Sequence, residues 1–167
     1  MMNHTIRKVN ADEWYILREL LYDAIYIPDG AIAPLSTIVD IPELSRYYIH
    51  WGKYGDVGYL AEAENNIFGA AWIRIFSNEE RGYGFVNDRT PELSMAIKEE
   101  YRNKGIGTHL LTTLIEDLKD RDFHSISLSV DKRNRAINLY TRFGFKIISE
   151  SGFSCTMIKV LKTQLDL

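Results

Sequence analysis

From Glu92 to Phe145 the chain reads as strand, glycine turn, helix, strand and helix, and a helical crossover between two strands of one sheet obliges them to run parallel. The turn is Arg102-Asn103-Lys104-Gly105-Ile106-Gly107. Its two glycines let the backbone bend so that successive N–H groups face one point. A helix begins at once, with Ile106, Leu110, Leu111, Leu114, Ile115 and Leu118 recurring at three- and four-residue spacing between polar residues. The first turn of such a helix carries unpaired N–H groups and the positive end of the macrodipole, so it holds an anion without needing a cationic side chain. No Gly-Lys-Ser/Thr follows the glycines and no third glycine completes a dinucleotide fingerprint, which sets aside two better-known phosphate loops. An ordinary strand-to-helix turn is the competing reading of the glycines taken alone.

The rest of the chain supplies a sheet for that unit. A first strand is predicted at residues 5–9. Asn10 followed three residues on by Glu13 resembles a capping box for a helix carrying Trp14, Leu17, Leu20, Leu21 and Ile25, which stops before Pro28. Pro28-Asp29-Gly30 is turn chemistry, followed by irregular chain and a second helix from Pro42 to about Tyr48. Residues 57–62 and 67–76 read as antiparallel strands joined at Asn65-Asn66, and residues 91–97 as the next strand. A helix at 105–119, a strand at 125–130, a helix at 134–143 and closing strands at 146–149 and 153–159 complete a mixed α/β sheet. Tyr22, Tyr26, Tyr47, Tyr48, Trp51 and Tyr54 crowd the first third, where aromatics serve either as core or as the wall of a substrate pocket.

With 167 residues, 46% hydrophobic and 26% charged, the chain fits one globular domain over residues 1–167. A formal charge of −3 gives no general attraction to nucleic acid, so no nucleic-acid partner is expected. The run Lys132-Arg133-Asn134-Arg135 reads as a solvated helix start. Cys155, the single cysteine, cannot close an internal disulfide, and no charged-then-apolar leader precedes Thr5, so a cytoplasmic protein with no membrane partner is expected. His4, His50, His109 and His124 lack metal-ligand spacing, and no metal site is expected. An edge strand at the close of the sheet would leave a surface for a second copy, so a homodimer is one outcome, with oligomeric state left open.

Two runs carry a resemblance. Arg-x-x-Gly-x-Gly after a strand, met by Arg102 to Gly107, and Asn-x-Ala-x-x-Leu-Tyr-x-x-x-Gly-Phe, met by Asn134, Ala136, Leu139, Tyr140, Gly144 and Phe145, resemble the GCN5-related N-acetyltransferase (GNAT) superfamily. The resemblance covers roughly residues 92–145. It implies a GNAT-type α/β (α+β) fold: a mixed, mostly antiparallel central sheet with a parallel, splayed strand pair and flanking helices. It implies acetyl-CoA as acetyl donor, held by Arg102, Asn103, Lys104, Gly105, Ile106, Gly107 and Thr108 around the phosphates. Backbone groups of Met95, Ala96 and Ile97 would meet the pantetheine arm as an added strand meets a sheet edge. Asn134 would hydrogen-bond the same arm, and Tyr140 would lie near the sulfur. One departure is Glu99, where many members carry proline three residues before the motif arginine.

Acetyl transfer to an amine needs a neutral nucleophile, a polarised carbonyl and a proton for the departing thiolate. An alkylammonium gives up its proton only near pH ~10.4 in water, so a base or a water chain must collect it. Glu92 matches the place where several family members carry such a carboxylate, with a solvated strand-end charge as the competing reading. Tyr140 is the candidate acid, with a packed aromatic beside Phe143 as its competitor. Tyr26, Trp51, Tyr83 and Asp88 are candidates for the acceptor groove. The implied activity is transfer of an acetyl group from acetyl-CoA to a primary amine of a small molecule or peptide, by direct attack in a ternary complex. A non-catalytic acyl-CoA-binding module is the alternative that stays open.

Overall fold

Residues 2–163 are described by a computed structural model, in which seven strands join in one sheet. They are β1 (Thr5–Lys8), β2 (Val57–Ala63), β3 (Asn66–Arg74), β4 (Glu92–Ile97), β5 (Ser125–Asp131), β6 (Lys146–Ser151) and β7 (Ser154–Val160), in the spatial order β1-β2-β3-β4-β5-β7-β6. Every neighbouring pair is antiparallel except β4 and β5, which run parallel as the helical crossover requires.

That parallel pair barely touches. Glu92 opposite Ser127 is its whole register, backed by Ser127 N–H donating to the Pro91 carbonyl at 3.0 Å. Beyond that point β4 stays paired with β3 from Glu92 to Ile97, and β5 stays paired with β7 along its length. With no further register partner between them, the inner edges of β4 and β5 are unpaired toward their C-terminal ends, which leaves a gap in the sheet. An unpaired strand edge of this kind is a template for another extended chain.

Alternation along the strands divides the core. On one face Leu110, Leu111, Leu114 and Leu118 of α3 (Ile106–Lys119) bury against Ala71, Ile73, Leu93, Ile126 and Leu128, with α4 (Ala136–Arg142) beside them. On the other, Leu17, Leu20 and Leu21 of α1 (Trp14–Ala24) meet Leu60, Ala70, Trp72 and Ala96. Burying each such leucine contributes about 1.5–3 kcal/mol. A buried ion pair fixes the next segment: Arg74 and Asp56, with side chains 4% and 1% exposed, meet at 2.7 Å. Arg74 also donates to the carbonyls of Arg46 and Ile49, which ties the chain after α2 (Pro42–Ser45) to the end of β3.

Several boundaries differ from the sequence expectation. The β2–β3 turn is Glu64-Asn65, with φ of 50° and 62°, rather than Asn65-Asn66. A two-residue hairpin of that type needs positive φ at both central positions. Strand β3 stops at Arg74, and α2 ends at Ser45, leaving Tyr47 and Tyr48 in turns. Helix α4 starts at Ala136 because the Asn134 side-chain oxygen takes the Ala136 N–H at 3.0 Å. Ser36–Asp40 forms a 3₁₀ turn within the stretch expected to be irregular. Among the described residues, no helix is long and apolar enough to cross a membrane.

Candidate active site

The glycine turn is built from left-handed backbone. Asn103 sits at φ 60° and Gly105 at φ 79°, and α3 follows immediately. The first helical bond runs from His109 N–H to the Gly105 carbonyl at 3.1 Å, and no side chain caps the helix. The N–H groups of Ile106, Gly107 and Thr108 therefore lie ahead of the helical ladder, beside the positive end of the helix.

The two glycines serve different ends. At Gly105 a side chain would meet nothing within 4 Å, so what demands glycine there is the positive φ. At Gly107 a Cβ would lie 3.0 Å from Leu139 Cδ2, 3.3 Å from Ile97 Cδ1 and 3.6 Å from Met95 Cε. Thus the turn, β4 and α4 converge on Gly107, and close packing, besides any ligand, keeps that position small. A valine at Gly105 would strain the turn by about 1–3 kcal/mol or release it. Calorimetry on Gly105→Val is expected to show acetyl-CoA affinity reduced by roughly tenfold or more, while Gly105→Asn, which tolerates the left-handed region, retains it within about threefold.

Arg102 does not reach outward from this turn. Its Nε donates to the Ile97 carbonyl at 2.9 Å and its Nη2 to the Asp23 carbonyl at 3.0 Å, binding the end of β4 to the end of α1. Lys104 lies over the Tyr101 ring at 5.6 Å. An anion at this turn would therefore be met mainly by backbone N–H groups. Met95 and Ile97 turn their side chains toward the α3 face and Ala96 toward the α1 face, while β4's inner edge faces the gap.

Tyr140 is on α4, 7% exposed, with its ring edge-on to Phe145 at a centroid distance of 5.8 Å. Its hydroxyl has no hydrogen-bond partner among the described residues. Burial pushes the phenol above its ordinary range, so it carries its proton at neutral pH and is free to donate it.

Glu92 is no solvated strand end. It is 3% exposed, and its Oε1 accepts from the Tyr47 hydroxyl at 2.6 Å and from the Gly84 N–H at 2.9 Å. Its Oε2 is fully buried and has no partner among the described residues. A Cβ on Gly82 would fall 2.0 Å from Oε2, so only glycine lets the 82–84 segment cover this carboxylate. Desolvation pushes Glu92 up to about 7, with the Tyr47 and Gly84 bonds pulling the other way. A buried carboxylate that titrates near neutrality, at the closed end of a split in a sheet, has the protonation range of a general base.

The four acceptor-groove candidates are not brought together. Tyr83 is 62% exposed on the segment covering Glu92, with its N–H on the Tyr47 hydroxyl at 2.7 Å. Tyr26 lies 5.8 Å from the Arg133 guanidinium, which stacks at 3.8 Å on Phe153, near the open end of the gap. Asp88 is exposed with Asn87, Arg89 and His124, next to half-buried Ser125, at the closed, N-terminal end of the parallel pair. Trp51 is packed against Gly58, two strands away from β4, under Arg74 at 5.6 Å. Asn134 spends its side-chain oxygen on the start of α4. Gly82 and Arg133 enter the site without having been singled out for it by sequence, whereas Tyr47 stood among the aromatics offered as a pocket wall and Gly84 in the 83–88 segment expected to border the acceptor; the alternating glycines of Gly82-Tyr83-Gly84 were a signal that could have found Gly82.

The model of the acetyltransferase (GNAT) family matches residues 21–145. The N-alpha-acetyltransferase of Saccharolobus solfataricus is 35% identical over 114 residues, spanning 64% of this chain and 68% of the relative. Streptothricin acetyltransferase A of Bacillus subtilis is 34% identical over 94 residues, 56% of this chain and 49% of that protein. The crystal structure of the paia N-acetyltransferase from Thermoplasma acidophilum, in complex with coenzyme A, superposes with a TM-score of 0.65 at 21% identity, covering 95% of this chain and 99% of that one.

Proposed function

Because this chain belongs to the acetyltransferase (GNAT) family and is an acetyl-CoA-dependent N-acetyltransferase, we propose that its acceptor is the α-amine of a peptide, acetylated by direct attack in a ternary complex. The alternative of a non-catalytic acyl-CoA-binding module is set aside with that membership. The observation that carries the choice of acceptor is Glu92, buried, held through Oε1 by Tyr47 and Gly84, and pushed up to about 7 by desolvation. An α-amine loses its proton near pH ~7.7–8.0 and a lysine near ~10.4, so a base in this range is matched to the first and poorly matched to the second. The N-alpha-acetyltransferase relatives support the same class.

In this reading the N–H groups of Ile106, Gly107 and Thr108 receive the diphosphate of acetyl-CoA, and the inner edge of β4 pairs with the pantetheine arm. The thioester carbonyl is polarised by backbone N–H groups around Ala96 and Ile97. Glu92 collects the proton released as the amine attacks, the C–S bond breaks, and Tyr140 protonates the departing thiolate. We place the activity in the cytoplasm, consistent with a buried free thiol at Cys155.

Thiol release from acetyl-CoA should be followed with three acceptors: a peptide with a free N-terminus and no lysine, an N-terminally blocked peptide containing lysine, and a small polyamine. The free N-terminus is expected to exceed the other two by at least about tenfold in kcat/KM. Preference for the blocked peptide or the polyamine would overturn the choice of acceptor.

A further inference from the structure

We infer that Tyr47 is the positioning residue for Glu92, committing one carboxylate oxygen so that the acceptor's proton is exchanged at the other; this rests on the reading of Glu92 as the base. Donors and acceptors decide the orientation. A phenol owns one proton, and a backbone N–H can only donate. Tyr83 N–H occupies the Tyr47 oxygen at 2.7 Å, so the phenol's own proton points to Glu92 Oε1 at 2.6 Å. Gly84 N–H gives Oε1 a second bond at 2.9 Å. With two donors directed at it, Oε1 is the unprotonated oxygen in either charge state. Any proton on Glu92 therefore resides on Oε2, the atom that has no partner among the described residues.

Tyr47 is itself held on several sides. Its carbonyl accepts from Trp72 Nε1 at 3.0 Å, and its ring meets Phe76 edge-on at 5.0 Å. Neighbouring charges are otherwise engaged. Arg74, the register partner of Glu92 on β3, is in its ion pair with Asp56. Arg46, beside Tyr47, donates to the carbonyls of Pro42 and Arg81, and Arg81 donates to Asn78. On β5 the residue opposite is Ser127, whose hydroxyl donates to the Gly84 carbonyl at 2.7 Å, and Asp131 at the far end is paired with Arg133. Tyr83 on the covering segment is exposed. What remains to set the ionisation of Glu92 is burial, Tyr47 and Gly84.

The decisive variant is Tyr47→Phe, which keeps the ring and removes the directed proton. The acidic limb of kcat/KM against pH is expected to move up by roughly one pH unit or more, with the KM for acetyl-CoA within about twofold. A second readout needs no turnover: the pH range over which unfolding stability declines should extend upward by the same amount. Combined with Glu92→Gln, the variant should react no more slowly than Glu92→Gln alone. An unmoved unfolding profile, or rate losses that multiply in the double variant, overturns the assignment of Tyr47. A moved unfolding profile with an unmoved rate limb leaves Tyr47's hold on Glu92 standing and sinks the base reading instead. Should Tyr47→Phe not fold, Gly82→Ala tests the arrangement as a whole, since its Cβ would lie 2.0 Å from Oε2 and 2.7 Å from the Tyr47 hydroxyl. Full activity in that variant would likewise overturn the proposal.

Discussion

Replacing Tyr140 with phenylalanine is expected to lower kcat by about 10²–10⁴-fold while acetyl-CoA affinity stays within about threefold. The substitution removes one O–H and nothing else of size. Because that hydroxyl bonds to no other described residue, no internal hydrogen bond is lost, and stability should change by less than about 1 kcal/mol. A rate loss therefore cannot be charged to unfolding. Burial raises the phenol above its ordinary range, so it is protonated at neutral pH, and its role as acid rests on its place on α4 and not on added acidity. Pre-steady-state acetyl transfer with saturating peptide would separate the chemical step from product release. Undiminished transfer in Tyr140→Phe, with normal acetyl-CoA binding, would remove Tyr140 from the mechanism.

Glu92→Gln is expected to lower kcat/KM at pH 7 by about 10²-fold or more and to abolish the acidic limb of the rate profile. The same variant has a signature in stability. The carboxyl's folded-state value, about 7, lies above its unfolded value of 4.5, so between those limits the native state binds the extra proton. Stability contributed by this group is full below pH 4.5 and falls as pH rises toward 7, by roughly 3 kcal/mol in total at ~1.36 kcal/mol per pH unit. Glutamine does not titrate. Urea unfolding from pH 4 to 8 should show the variant gaining on the parent across that window and running parallel to it above. A constant offset from the unpaired amide would shift the whole curve without altering its slope. Parallel curves throughout would show that Glu92 is not held neutral by the fold.

The sequence made some of this legible and hid the rest for identifiable reasons. Leu110, Leu111, Leu114 and Leu118 declared α3, because a stripe of that period has one stable use, and the crossover it makes declared the parallel pair. Burial of Glu92 was not legible. It depends on Tyr47, 45 positions earlier, and on the bare backbone of Gly82, so no local window contains it. The aromatic crowd of the first third could not be divided by inspection either: Tyr47 became the partner of the carboxylate, while Trp51 became core beneath Arg74. Arg102 reads as a phosphate ligand because it stands in a phosphate turn, yet two carbonyls of its own chain claim its guanidinium. The β2–β3 corner was misplaced by one residue because Asn65-Asn66 looks the better turn pair, whereas register on both strands forced Glu64 into positive φ.

Residues 23–26 are fastened at two points to elements that border the split in the sheet. One fastening is Arg102 on the Asp23 carbonyl, the other Arg133 beside Tyr26. The first fastening belongs to the glycine turn, so the position of that turn and the position of the end of α1 are set together by a side chain, outside the hydrophobic layers.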